Sequence, residues 1–368
     1  MNLKIRSTVS VVKISDNILE FFKTNTRQQV RISVEDDTIL NVITELNGKI
    51  KTIDELSEKY QIDKNDLEKL MLFLESKGIL DNVEPKEDFK NYKSYRRVIQ
   101  FLNDFSENHE HLVNMWNNIT NSNVLIIGLG AVGSWVSCNL AQSGVENLIL
   151  MDNDVVDITN LHRQFGYKEN CVGSYKIDAI NKKLVEYNDN INVKKIYQIL
   201  DKDTANLLDD YEIDLVINCA GQPNVDTTSR IIGEYCMKRD IPHIVGGGYN
   251  LHLSLIGQTI IPKETACVRC FEKQLQEINK VDKNKVKKLT VKNRKIGSFG
   301  PMCSIIASMI GMDCIKILSK SIKPSNINRR GEFNIYTMDM EYNKFEKLED
   351  CECCSTNGKY NNRGCISK

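Results

Sequence analysis

The spacing of apolar residues divides the chain into segments of different character. Residues 9–34 hold three strand-like runs, Val9-Ser-Val-Val-Lys-Ile, Ile18-Leu-Glu-Phe-Phe and Val30-Arg-Ile-Ser-Val, with turn residues between them. Helical periodicity follows over residues 37–46, 53–60 and 63–77. The last of these has Asp63 as its cap, an apolar stripe of Leu67, Leu70, Met71 and Leu74, and Gly78 as its stop. Strands followed by three short helices predict a winged-helix-like domain over residues 1–82. Residues 83–122 read as a charged linker and a helical segment, with one long helical pattern over 95–116. From Asn123 strand and helix patterns alternate: strands at 124–127, 148–151, 215–219 and 243–246, helices at 131–143 and 225–238. That alternation predicts a Rossmann-like α/β domain over 123–368, with a doubly wound, mainly parallel sheet.

Composition narrows the function classes. The 368 residues hold 49 Lys+Arg and 49 Asp+Glu, so no global charge excess points to nucleic acid or to a membrane surface. The N-terminus lacks a signal-peptide core. The apolar run over 305–318 is interrupted by Asp313 and Lys316, so the expectation is a soluble, cytoplasmic protein without a membrane span. Twelve cysteines are many for that compartment, and their spacing points to metal rather than to disulfides.

Gly128-Leu-Gly130-Ala-Val-Gly133 lies where a strand turns into a helix, a place where glycines admit a phosphate or ribose and the helix N-terminus favours negative charge. Asp152, about 20 residues on, stands where an acid can hold ribose hydroxyls. A dinucleotide-dependent oxidoreductase would show both features. The string that follows decides between them: Asp152-Asn-Asp154, then Asn160-Leu-His-Arg163-Gln164, then Gly173-Ser-Tyr-Lys176. Two cations after the ribose-binding acid suit an enzyme that holds a triphosphate and expels pyrophosphate, because charge develops on the leaving phosphates.

Here the chain resembles the ubiquitin-activating-enzyme-like family of ThiF, MoeB and microcin C adenylyltransferases, over about 95–354. The resemblance implies ATP as substrate, with Asp152 on the ribose and Asn160, Arg163, Gln164 and Lys176 around the triphosphate. It also implies a homodimer in which Arg97 reaches the ATP of the neighbouring subunit. The family pattern places a magnesium-holding aspartate after the strand at 215–219, where this chain has Gly221; Asp154, Asn224 and Asp226 are the residues at hand to hold Mg2+ instead.

Cys267-Val-Arg-Cys270 and Cys351-Glu-Cys-Cys354 form two C-x-x-C pairs, whose four thiolates suit a structural Zn2+. Cys353 competes for a place, and a redox C-x-x-C is the rival reading. Residues 273–295 carry nine Lys/Arg against two acids without apolar periodicity. They read as a solvated loop, and by the resemblance as a crossover loop (about 273–298) over the adenylate. That loop holds no cysteine, which argues against a thioester step and leaves Cys303 as a core thiol.

The segment 51–81 has five lysines against eight acids, which argues against DNA as its partner. Its order of elements resembles the leader-peptide clamp called the RiPP recognition element, in which a peptide adds a strand to a sheet edge. Joined to an adenylating domain, it implies a precursor-peptide partner and a role in RiPP biosynthesis. The alternatives are a catalytically weakened leader-binding partner of another enzyme and a sulfur-carrier-protein adenylyltransferase.

Overall fold

The computed structural model describes residues 2–83, 88–250, 253–279 and 297–361. Two compact units are present, Met1–Asn117 and Asn118–Lys368.

The first unit begins with β1 (Asn2–Ile5), β2 (Val9–Ser15), β3 (Ile18–Lys23) and β4 (Gln29–Ser33). Then come α1 (Asp37–Leu46), β5 (Lys51–Thr52), α2 (Ile53–Tyr60), α3 (Lys64–Ser76) and β6 (Leu80–Asn82). Two small antiparallel sheets form, in the orders β5-β1-β6 and β2-β3-β4, so β4 is an edge strand. Phe21, Ile43, Leu56, Leu67, Met71 and Leu74 close over one core, with Val30, Ile32 and Leu70 packed at its margin. Caps set the helix starts. The Thr52 hydroxyl accepts from Glu55 N while Glu55 Oε2 accepts from Thr52 N at 2.8 Å. Asp63 caps α3 by accepting from Asn65 N and Asp66 N.

The single helix expected over 95–116 is two, α4 (Tyr92–Asn103) and α5 (His109–Asn121). Polar side chains at the break bond locally instead of continuing the helix. Ser106 Oγ donates to Asn103 O, and Asn108 Oδ1 accepts from His111 N at 2.9 Å to start α5.

The second unit continues with β7 (Asn123–Ile127), α6 (Gly133–Gln142), β8 (Asn147–Met151), α7 (Lys176–Tyr187), β9 (Asn192–Ile196), β10 (Leu215–Asn218), α8 (Val225–Arg239) and β11 (His243–Val245). β12 (Gly248–Asn250), β13 (Leu253–Leu255), β14 (Gln258–Ile260), α9 (Val268–Ile278), α10 (Gly300–Ser319), β15 (Arg329–Asn334) and β16 (Asp339–Lys344) complete it. The main sheet runs β14-β11-β10-β7-β8-β9 and is parallel except for β14. This is the mainly parallel α/β sheet expected, with its crevice at the carboxyl ends of β7 and β10. A second, antiparallel sheet, β12-β13-β15-β16, was not legible in the sequence.

By length and composition alone, α10 is long and apolar enough to cross a membrane. Its packing is that of a core helix. Asp313 on it is 1% exposed and accepts from Thr259 Oγ1, Ser325 N and Asn326 N at 2.7–2.8 Å. A carboxylate with three donors belongs inside a protein, because lipid supplies none.

Candidate functional site

The turn from β7 into α6 is built on glycines with different duties. Gly128 holds φ +85°, and an added Cβ would lie 2.8 Å from Cys219 O. At Gly133 the added Cβ would lie 1.9 Å from Gly128 O, so both positions exclude side chains. Around Gly130 an added Cβ meets nothing within 4 Å, which leaves that side of the loop open.

Asp152, at the end of β8, clamps this loop. Its Oδ2 accepts from Leu129 N at 2.6 Å and its Oδ1 from Asp154 N at 2.7 Å. Burial raises its pKa above the usual carboxylate value, and the two backbone N–H groups work against that rise. Tyr167 closes the turn from the other side, donating from its buried hydroxyl to Leu129 O at 2.8 Å.

Asp154 and Lys176 form a second brace. Lys176 N donates to Asp154 O at 2.9 Å, and Lys176 Nζ lies 2.8 Å from Asp154 Oδ2. Lys176 is only 6% exposed.

Asn160 and Arg163 sit in a short 3-10 turn and the bend after it. Asn160 Oδ1 accepts from Asp157 N, and Arg163 Nη1 donates to Thr159 O at 2.5 Å. The bend is fastened to α6: Trp135 Nε1 donates to Arg163 O at 3.1 Å and its ring stacks on Phe165 at 4.1 Å. Sequence reading missed this stack, although an aromatic on each side of the motif was a visible signal. Arg163 Nε and Gln164 Oε1 are buried without a partner among the described residues. Buried polar atoms are ordinarily paired, so these two are the orphans a ligand can satisfy.

After β10, Ala220 N donates to Asn218 Oδ1, and Gly221 is exposed with nothing within 4 Å of an added Cβ. Of its possible substitutes, Asp154 is tied to Lys176 and Asn224 caps α8 by accepting from Thr227 N at 2.9 Å. Asp226 is exposed in the first turn of α8. Arg97 lies exposed on α4, in the first unit.

Cys267, Cys270, Cys351 and Cys354 are buried together, with all four Sγ atoms within 4.8 Å of one another. The Cys267–Cys270, Cys267–Cys351 and Cys270–Cys354 sulfurs are 3.9, 3.6 and 3.4 Å apart. Tetrahedral zinc with Zn–S of about 2.3 Å needs sulfurs roughly 3.8 Å apart, so the donor set fits. Phe271 and Phe345, ring centroids 4.7 Å apart, pack in the same cluster. Cys353 is buried nearby but outside this group of four.

Helix α9 runs to Ile278, so the segment expected to be a loop from 273 starts helical, and Lys273 pairs with Asp350. Residues 280–296, most of the expected crossover loop, lie outside the described residues. Cys303 is fully buried, and burial pushes its thiol up against the opposing charge of Arg163.

The ThiF family model matches residues 95–355. The chain belongs to the ThiF family. It is 27% identical over 237 residues to the molybdopterin-synthase adenylyltransferase of Escherichia coli K12, a match covering 64% of this chain and 88% of the relative. It is 35% identical over 132 residues to the tRNA threonylcarbamoyladenosine dehydratase of Bacillus subtilis, covering 35% of this chain and half of that one. Other ThiF relatives are adenylyltransferase–sulfurtransferases. Among solved structures, E. coli MccB with ATP aligns at TM-score 0.72 and 22% identity over 96% of this chain and 100% of that chain. MccB in complex with N-formylated MccA aligns at 0.72 and 21%, with the same coverage. At these identities the likeness speaks to the fold, and it spans both units.

Proposed function

We propose that this chain is an ATP-dependent adenylyltransferase that activates a carboxylate on a ribosomally made precursor peptide. The observation that carries this reading is a ThiF-family domain inside a chain whose whole length resembles MccB, a protein solved with ATP and with MccA. In the reaction the peptide carboxylate attacks the α-phosphate of ATP, giving an acyl-adenylate and releasing pyrophosphate. Asp152 takes the ribose, and Asn160, Arg163, Gln164 and Lys176 take the triphosphate. The orphaned Arg163 Nε, a donor facing no acceptor, supports its assignment to the phosphates. Asp154, Asn224 or Asp226 would hold Mg2+, which would supply positive charge to the phosphates, and Arg97 acts from the neighbouring subunit of a homodimer. Zinc on Cys267, Cys270, Cys351 and Cys354 ties the tail to the domain and takes no part in the chemistry, since four sulfurs leave no open position.

Residues 1–82 serve as the leader-peptide clamp, 83–122 as the connection and 123–368 as the adenylation domain. The edge strand β4 supports the clamp reading, since an added peptide strand needs such an edge. Pyrophosphate exchange into ATP, dependent on the precursor peptide encoded beside the gene, is the test. No peptide-dependent exchange from zinc-loaded, dimeric protein would sink the enzyme reading. Gly221 in place of a metal-holding acid favours one alternative, a leader-binding partner with weakened catalysis. Peptide binding without exchange would select it.

A further inference from the structure

A cavity of about 210 Å3 opens at the carboxyl end of β11, walled by the backbone of 246–248 with Ser229, Asp226, Gln258 and Arg330. It adjoins the nucleotide loop through one residue. An added Cβ at Gly246 would lie 3.0 Å from Cys219 Sγ, and one at Gly133 would lie 3.4 Å from Cys219 Cβ. The volume is below the roughly 300–1,000 Å3 that encloses a drug-sized ligand, so it admits a side chain rather than a nucleotide.

Two polar groups in this cavity lack partners. Arg330 is fixed by β15, whose Gly331 O accepts from Ile256 N at 2.8 Å. Its guanidinium is half-buried, burial lowers its pKa, and among the described residues it makes no hydrogen bond or ion pair. Ser229, on α8, is 5% exposed and its Oγ is unpaired. The remaining charges are accounted for. Glu272 is held by Arg230 at 2.6 Å, while Glu332, on the same strand, and the exposed Asp226 both lend Arg330 negative potential.

We propose that this cavity is a subsite for the side-chain carboxylate of a substrate residue flanking the activated group, with Arg330 and Ser229 as its donors. The assignment rests on the peptide-adenylation reading for its biological role. A guanidinium only donates and a carboxylate only accepts, and the pair forms charge-assisted, two-pronged hydrogen bonds. Ser229 Oγ supplies a further donor inside the cavity. Asp226 repels an incoming acid, which sets a modest ceiling on affinity and offers a second handle for testing.

The test uses full-length protein without nucleotide or added magnesium. Its probes are N-acetylglutamate α-amide and its neutral isostere N-acetylglutamine amide, titrated by saturation-transfer NMR. The acidic probe should bind about tenfold tighter than the neutral one, the equivalent of about 1.4 kcal/mol. Arg330→Gln should erase that preference and Arg330→Lys should keep part of it. Asp226→Asn should tighten the acidic probe a few-fold and leave the neutral one unchanged. Equal binding of the two probes, no binding of either, or a preference that survives Arg330→Gln overturns the proposal. Should Arg330→Gln fail to fold, Asp226→Asn decides: an unaltered preference in that variant overturns it too. Neither probe needs ATP turnover, so absent pyrophosphate exchange would remove the adenylation reading without touching this result.

Discussion

Lys176 Nζ lies 2.8 Å from Asp154 Oδ2, with the lysine side chain 7% exposed and the aspartate 64% exposed. The asymmetry matters. A nearly buried ammonium is held by a single carboxylate that solvent, or a phosphate, can relieve. The pair therefore stores a cation in place for a nucleotide rather than adding much stability of its own.

Lys176→Met should accordingly keep the fold, because a buried methionine fills the volume of the lysine stem. It should lower the pyrophosphate-exchange rate by roughly a hundredfold, or about 2.7 kcal/mol. Asp154→Asn should cost less than tenfold in rate. Equal losses from both variants would show that the pair works as one unit.

Zinc should be present at one ion per chain by elemental analysis. Cys270→Ser should release it and lower thermal stability, since Cys270 faces both Cys267 and Cys354. Cys353→Ser should keep the metal. Loss of zinc in Cys353→Ser alone would move that residue into the ligand set.

His243 predicts an acid-sensitive fold. The ring is fully buried beside α8. Its Nδ1 lies 3.2 Å from Ile241 O, so the neutral ring donates there, and Nε2 is left without a partner. Burial pushes its pKa down to about 4, against about 6.5 in the unfolded chain. Between those values the unfolded chain takes up a proton that the fold refuses, so stability falls as pH drops from 6.5 to 4. The loss is about 3 kcal/mol at its full extent. Urea melts of His243→Met should show a flatter profile over that window, and an unchanged slope would assign the acid sensitivity to other groups.

The legible parts of the fold were those set by local chemistry. The ends of α1 and α2 followed from apolar spacing, and Asp63 and Gly78 marked the limits of α3. The glycine turn and the two cysteine pairs could be read because each packs several special residues into a short motif. What escaped depended on contacts distant in sequence. The β13–β15 pairing that sets Arg330 into its cavity joins residues nearly 80 positions apart. The burial of Lys176 depends on Asp154, 22 residues earlier. The break between α4 and α5 rests on Ser106 and Asn108, polar residues that pass unnoticed inside an amphipathic stretch.

Gly221 separates the catalytic reading from its weakened alternative. Bound magnesium stabilises the departing pyrophosphate, an effect that can reach several kcal/mol of barrier. The position has room for a ligand: an added Cβ meets nothing within 4 Å, and its φ lies outside the left-handed region. Gly221→Asp should therefore fold normally and add a carboxylate at the mouth of the crevice. If the missing acid limits the metal, the variant should raise pyrophosphate exchange at least tenfold, about 1.4 kcal/mol or more, and lower the magnesium concentration for half-maximal rate. If Asp226 already serves, Asp226→Ala should abolish exchange while Gly221→Asp does little. Fast exchange by the unaltered chain, indifferent to both substitutions, would move the magnesium site away from the segment between β10 and α8.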